Sequence, residues 1–305
     1  MPVEKANQFQ LAFVAETVFG TTPDTPTGQV LRQTSVDFGI DAAYIANPEL
    51  RQDAMVQAGR RGALKSKGSI KGVLSHGTYD DFFAAALGNT WSSDVLKVGS
   101  TGLRPSFTLE QSHEGNGFHF PFTGCVVDGF SLSGKVNAAV DVAFEIIAKG
   151  VGAESATSIF AYPTAANSNP LITSWDGSVK VAGATLGNVV GWDLKVARNS
   201  GSGEVVGTSD LYDIQHGSCA VSGSLEVYFD SLALYNDFRN ETDVAIQINL
   251  GTGTGNTYTL DMTRCRIKTF KKNGGGKDGG LLTATVEFES YVPSTGTNTS
   301  LKITR

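Results

Sequence analysis

The second half of this 305-residue chain repeats the first. Gly115-Asn116-Gly117-Phe118 returns 140 residues later as Gly255-Asn256-Thr257-Tyr258. At the same spacing Phe120 meets Leu260, Phe122 meets Met262, Cys125 meets Cys265 and Phe130 meets Phe270. Upstream, Tyr79-Asp80-Asp81-Phe82 returns as Tyr235-Asn236-Asp237-Phe238 at a spacing of 156; downstream, Val140, Val142 and Phe144 meet Ala284, Val286 and Phe288 at 144. The spacing changes only across loop-like stretches, 88–104 and 274–280, where related units gain and lose residues. Two copies of one fold in a chain point to a quasi-symmetric assembly, a stronger constraint than any single candidate side chain.

The repeat divides the chain into an irregular N-terminal arm (1–27), a first unit (28–150), a linker rich in Ala, Ser, Asn and Pro (151–170) and a second unit (171–305). The prolines of Thr21-Thr22-Pro23-Asp24-Thr25-Pro26 deny the arm a helix or an interior strand. Each unit is long enough to bury its own core. With 40% apolar and 18% charged residues the chain is globular, and 36 glycines against three methionines favour a turn-rich β protein.

Alternation identifies the strands. Residues 140–146 and 282–289 each place apolar side chains on one face and carboxylates on the other. Residues 118–122 and 258–262 also alternate, each after a Gly-Asn pair suited to a tight turn. These are half-buried strands of antiparallel hairpins. Each unit also holds one short helix: Tyr79, Phe82, Phe83 and Leu87 fall at helical spacing behind a Thr78/Asp81 capping pair, and Leu232, Tyr235 and Phe238 follow Asp230 or Ser231. The fold class expected is mainly β (α+β): two tandem antiparallel β repeats, each with one helix.

Other readings of the residues are less favoured. The net charge of −6 argues against a general affinity for nucleic acid. Gly251-Thr252-Gly253-Thr254-Gly255-Asn256 breaks the dinucleotide pattern at Asn256 and precedes a strand, and the 274–280 run lacks P-loop spacing, so both are hairpin tips. His113, His119 and Cys125 lie six residues apart, but the second unit has no histidine at the matching places; alternating strand residues facing solvent or a subunit contact are preferred to metal ligands. Asp80-Asp81 and Glu287/Glu289 read as a helix start and a solvated strand face rather than acid–base pairs. No catalytic, cofactor-binding or metal residue is assigned. Cys125, Cys219 and Cys265 read as reduced, with Cys125 and Cys265 each packed in its own unit. No secretory signal or membrane span is visible. Residues 42–67 are locally basic (Arg51, Arg60, Arg61, Lys65, Lys67), whereas the matching 199–217 carries Glu204, Asp210 and Asp213, so opposite charge on equivalent segments favours attraction between copies.

The N-terminal half resembles the tail-tube (major tail) proteins of long-tailed bacteriophages. The resemblance rests on Glu16-Thr17-Val18-Phe19-Gly20-Thr21-Thr22-Pro23, Leu31-Arg32-Gln33-Thr34-Ser35, Glu49-Leu50-Arg51, the 62–72 segment, and Tyr79-Asp80-Asp81-Phe82-Phe83-Ala84-Ala85-Ala86-Leu87-Gly88-Asn89-Thr90-Trp91. It implies a sandwich of antiparallel sheets flanked by a helix, in a structural virion protein without catalysis. Such subunits close into rings that stack into a hollow conduit for DNA. Rings of six folds are implied, so a doubled chain is expected to form a trimer with pseudo-sixfold symmetry. The arm 1–27 and the loop 42–67 are the candidates for axial contacts, with other tail proteins at the tube ends. Double-stranded DNA would pass without specific binding, past a lumen to which Asp128, Asp141, Glu145, Asp261, Glu287 and Glu289 are the candidate carboxylates. Localisation would be the virion tail, after assembly in the host cytoplasm. A receptor- or carbohydrate-binding module of a tail tip or fibre is the alternative, for which Trp91, Trp175 and Trp192 are too dispersed in sequence; a tail-associated hydrolase ranks third.

Overall fold

The structure, a computed structural model, describes residues 5–99, 103–113, 115–161, 163–253, 255–274, 280–293 and 299–305. The first half contains β1 (Phe9–Ala15), β2 (Gln29–Val30), β3 (Ser35–Ile45), β4 (Arg60–Val73), α1 (Asp80–Leu87), β5 (Val95–Lys97), β6 (Ser106–His113), β7 (Phe118–Lys135), β8 (Asp141–Ala148) and β9 (Gly150–Val151). The second contains β10 (Ser178–Val181), β11 (Ala184–Thr185), β12 (Val189–Ala197), β13 (Gly201–Gly203), β14 (Asp213–Gln215), β15 (Ala220–Tyr228), α2 (Ala233–Arg239), β16 (Asp243–Leu250), β17 (Tyr258–Asn273), β18 (Thr283–Ser290) and β19 (Lys302–Thr304). The protein is mainly β, as the alternation predicts.

Pairing in the first half runs β3-β4-β8-β7, and β1-β6 joins the early part of β7. In the second half it runs β12-β15-β18-β17, and β10-β16 joins the early part of β17. Both long strands turn from one neighbour to the next at bulges. On β7 the register breaks between Phe122 and Cys125 and again at Asp128; on β17 it breaks between Met262 and Cys265 and again at Lys268. A bulge bends its strand and sharpens the local twist, which lets one strand serve two layers.

The bulges set which residues of the two halves take like positions in the pairing. Val127 lies opposite Ile146 and Ile267 opposite Phe288. Val142 therefore answers to Ala284 and Phe144 to Val286, two residues away from the alignment made on sequence. A slip of two preserves alternation, so the hydrophobic pattern alone does not reveal it. The helices shift similarly: Phe83 packs on Phe130 (5.0 Å) and Tyr235 on Phe270 (5.5 Å), a spacing of 152 rather than 156.

The two sets of strands share one sheet and one core. Residues 129–135 of β7 pair with residues 191–197 of β12, and β19 bridges β17 to β5. A continuous cluster of buried side chains runs from Leu11 to Ile303 through both halves. At its centre Phe82 of α1 stacks on Phe107 (5.0 Å) and touches Phe13 and Phe144, while Phe83 reaches Phe130 and Phe144. The expectation of a separate core in each unit is corrected accordingly.

Three local expectations also change. The stretch 1–27 is not wholly an irregular arm: β1 pairs with β6 along its length and buries Leu11, Ala12 and Phe13, and Pro23 and Pro26 lie beyond that strand. The segment 42–67 is mostly a β-hairpin, β3 running on to Ile45 and β4 starting at Arg60. Thr78 does not cap α1; its hydroxyl bonds Ser75 (2.5 Å) and Asn167 (2.9 Å), which ties the 151–170 segment to the first half. The 251–256 turn joins β16 to β17, with Thr254 outside the described residues, and 275–279 of the second glycine run lie outside them too.

Candidate assembly surface

From β3 to β17 the main sheet presents two unlike faces. One feeds the core through Ile70, Phe144, Phe130, Leu194, Leu225 and Val286. The other is polar. Cross-strand neighbours form a row Asp141-Ser133-Asp193-Ser224-Glu287 and a second row Lys71-Ala143-Ser131-Lys195-Ser222-Glu289. Glu145 lies between Ser69 and Gly129. Short hydroxyl side chains thus separate interspersed acids and lysines. Hydrogen bonds from Lys268 and then Tyr291 hold Glu289 below the usual carboxylate range.

Four of the six carboxylates singled out in the sequence, Asp141, Glu145, Glu287 and Glu289, belong to this face. Two do not. Asp128 sits in the β7 bulge, where its Oδ1 accepts from the Ser200 amide (2.8 Å), and Asp261 pairs with Lys302 (2.8 Å) beside β19.

Two edges of this sheet have no strand neighbour among the described residues: the side of β3 away from β4, and the side of residues 267–273 of β17 away from β18. They differ in charge. β3 carries Asp37 and Asp41, whereas β17 carries Lys268, Lys271 and Lys272. Unpaired edges of this kind are templates for association. Sequence reasoning missed the first because the basic side chains of 42–67 obscured the alternation that begins at Val36.

Beyond the sheet the β3–β4 hairpin projects with Tyr44, Ile45, Leu50, Met55 and Val56 exposed, Leu50 completely so. The bidentate Arg51–Asp53 pair (2.9 and 3.2 Å from Nε) organises its tip, and Asp53 is held below the usual carboxylate range by that pairing. At its base, Lys65 pairs with Glu204 (2.6 Å) and the Leu64 amide donates to Ser209 O (3.1 Å). The opposite charges of 42–67 and 199–217 therefore meet within one chain.

Two polar networks fix the frame. The Glu16 carboxylate accepts from the Gly20 and Gly124 amides (2.8 Å each), the Ser106 hydroxyl (2.6 Å) and the Thr108 hydroxyl (2.8 Å), clamping the 16–20 turn to β6 and β7. Across the halves, Tyr258 donates to Asp80 Oδ1 (2.6 Å) and accepts from the Gly77 amide (2.8 Å), while Arg305 bonds Asp80 and stacks over Trp91 (4.6 Å). Burial, then the Asp80 charge, pushes the Tyr258 phenol well above its ordinary value.

The remaining candidates disperse. His119 is buried, with Nδ1 bonded to Ser112 (2.9 Å) and 3.5 Å from Glu110, so it faces neither solvent nor an edge. His113 packs between the Phe9 and Phe120 rings. Cys125 and Cys265 are both buried, each donating Sγ–H to the carbonyl three residues back, at Phe122 and Met262. Burial pushes the Cys265 thiol up to about 12. No group of three or more His, Cys, Asp or Glu arranged for a metal exists among the described residues. Trp175 and Trp192 line one groove of about 380 Å³, closer than their sequence positions imply, but only Trp175 is exposed; Trp91 lies elsewhere.

Among the described residues, no helix is long and apolar enough to cross a membrane. No curated protein matches the chain significantly. A family model does, and it spans nearly all of the paired strands described above. The chain belongs to the phage tail tube protein family, whose model matches residues 6–290, and it is therefore a structural component of a virion tail that assembles with itself and with other tail proteins.

Proposed function

We propose that the two halves are copies of one unit and that three chains close into a ring of six such units, stacked into a tube that conducts DNA. The observation that carries this reading is the β7–β12 join. It already links one half to the other, edge to edge, and among the described residues each chain keeps one unpaired edge of either kind. A head-to-tail contact that repeats and closes makes a ring.

Matching bulges at Asp128 and Lys268, and matching Cys125 and Cys265 contacts, support the duplication. The polar face, with short hydroxyls, interspersed acids and no aromatic side chain in its rows, suits a lumen wall past which a duplex slides without stacking or adhering. The exposed apolar tip of the β3–β4 hairpin suits the axial contact. Assembly would take place in the host cytoplasm, from subunits free of cofactor and without catalytic activity.

Native mass measurement and electron microscopy of the purified chain test this. Rings with the mass of three chains, and tubes at high concentration, are expected; monomers at every concentration would overturn it. Deleting residues 47–57 should leave rings and abolish tubes. The Trp175/Trp192 groove favours a second reading, a carbohydrate-binding module, which a specific hit on a glycan array would support.

A further inference from the structure

The join between halves has a counterpart that a single chain leaves open. Resting on the ring reading above, we propose that β3 of one copy pairs antiparallel with the post-bulge part of β17 of its neighbour. The register sets Asp41 opposite Thr269, Gly39 opposite Lys271 and Asp37 opposite Asn273.

The template is internal. β12 holds toward β15-β18-β17 the place that β3 holds toward β4-β8-β7: Asp193 lies opposite Ser224, and Asp37 opposite Ser69. Beyond its bulge at Asp128, β7 is flanked by β8 and β12; beyond its bulge at Lys268, β17 is flanked by β18 alone among the described residues. Within the chain, Ala197 lies opposite Gly129 and Asp193 opposite Ser133. Carrying those pairs to the corresponding residues of β3 and β17 yields the stated register with nothing adjusted.

The side chains agree on both faces. On the core side Phe130 lies opposite Val196, and the new pair sets half-buried Phe270 opposite Ile40, which is 46% exposed in the single chain. Gly134, over which the Trp192 ring lies, is answered by Gly274 opposite Val36. On the polar side Lys271 falls diagonally between Asp37 and Asp41, within the roughly 7–8 Å of diagonal cross-strand neighbours. Acidic β3 and basic β17 thus favour head-to-tail pairing, whereas β3–β3 or β17–β17 pairing would juxtapose like charges. The Gln111 side chain donates to Phe38 O (2.9 Å), and that carbonyl retains a second lone pair for a strand partner.

Cysteine cross-linking of the full chain tests the register, in a Cys219→Ser background that leaves only buried native thiols. Gly39→Cys has open space around it. Combined with Lys271→Cys it should link chains under mild oxidation into a ladder that stops at the closed ring. Gly39→Cys with Lys272→Cys, whose side chains point to opposite faces, should not. Ser131→Cys with Lys195→Cys calibrates the same geometry within one chain. Assembled rings in which the first pair fails to link, or links no better than the second, would overturn the register and leave ring formation standing. Failure of wild type to assemble would overturn both. Independently of any variant, amide exchange of wild type should slow over 37–41 and 269–273 on assembly; unchanged exchange in assembled material overturns the pairing.

Discussion

Glu16 shows how a single side chain fixes the strand entry in this fold. Its carboxylate collects two amides and two hydroxyls, all at 2.6 to 2.8 Å. Hydrogen bonds to a charged acceptor contribute about 1.5–3 kcal/mol each net of solvent competition. Glu16→Gln keeps the shape but turns an NH2 toward donors, so a loss of about 2 kcal/mol in urea denaturation is expected; an unchanged midpoint would remove Glu16 from this role. His216 sets a pH dependence. Burial first, then the Arg198 charge, lowers its pKa to about 4, and its Nδ1 meets the Ser200 hydroxyl at 3.0 Å. The folded state favours neutral imidazole, so between the ordinary value near 6.5 and about 4 the unfolded chain binds more protons. Stability is full above that window, falls as pH drops through it, and is lost below it. Because the ring is partly solvated, the contribution is on the order of 1 kcal/mol. His216→Gln should flatten the melting temperature between pH 7 and pH 4; an unaltered slope would exclude this group. Glu16 was legible in the sequence only as part of a motif, and His216 not at all, because burial of a polar loop residue leaves no periodic trace.

At the scale of elements, close backbone approach explains two glycines that alternation treats as gaps. A Cβ on Gly68 would lie 1.9 Å from Asp37 O, and one on Gly223 would lie 2.4 Å from Asp193 O. Both sit on the second strand of an antiparallel pair, β3–β4 and β12–β15. Overpacking of this kind costs about 1–3 kcal/mol. Gly68→Ala and Gly223→Ala should each lower the melting temperature of the chain, whereas Gly39→Ala, with nothing within 4 Å, should be nearly silent. Equal behaviour of the three would sink this account of strand contact. Strands such as β8 and β18 were legible because one face is wet and the other dry, which imposes period two on the sequence. β1 was not, since Leu11-Ala12-Phe13 is a short run buried on both sides and resembles a loop beside the prolines that follow. The outer part of the β3–β4 hairpin was also hidden, because residues 39–45 are exposed on both faces and have no reason to alternate. The bulges are invisible in sequence, yet they decide which residues of β8 and β18 face β7 and β17.

For the whole molecule, the joining of both halves in one sheet and one core was not legible in the sequence. Whether two stretches of chain share a sheet depends on edge contacts that no local pattern encodes. Among the ties that cross the middle are the β7–β12 pairing, the β5–β19 pairing, the Tyr258–Asp80–Arg305 network and the Lys65–Glu204 ion pair. The last residues of the chain thus complete the first half, and the buried cluster has no break between halves. A unit cut at 170 would expose one edge of β7, lose the partner of β5 and leave the buried Asp80 carboxylate without its phenol and guanidinium. Leaving a buried polar group unpaired costs about 1–3 kcal/mol, more when it is charged. The dissociated chain should therefore melt in one cooperative transition, with calorimetric and van't Hoff enthalpies equal. A two-unit protein with a loose linker would instead melt in two steps, and residues 171–305 expressed alone would give one of them. Scanning calorimetry of the monomer at low concentration distinguishes the cases, and two resolved peaks would separate the halves that the shared core joins.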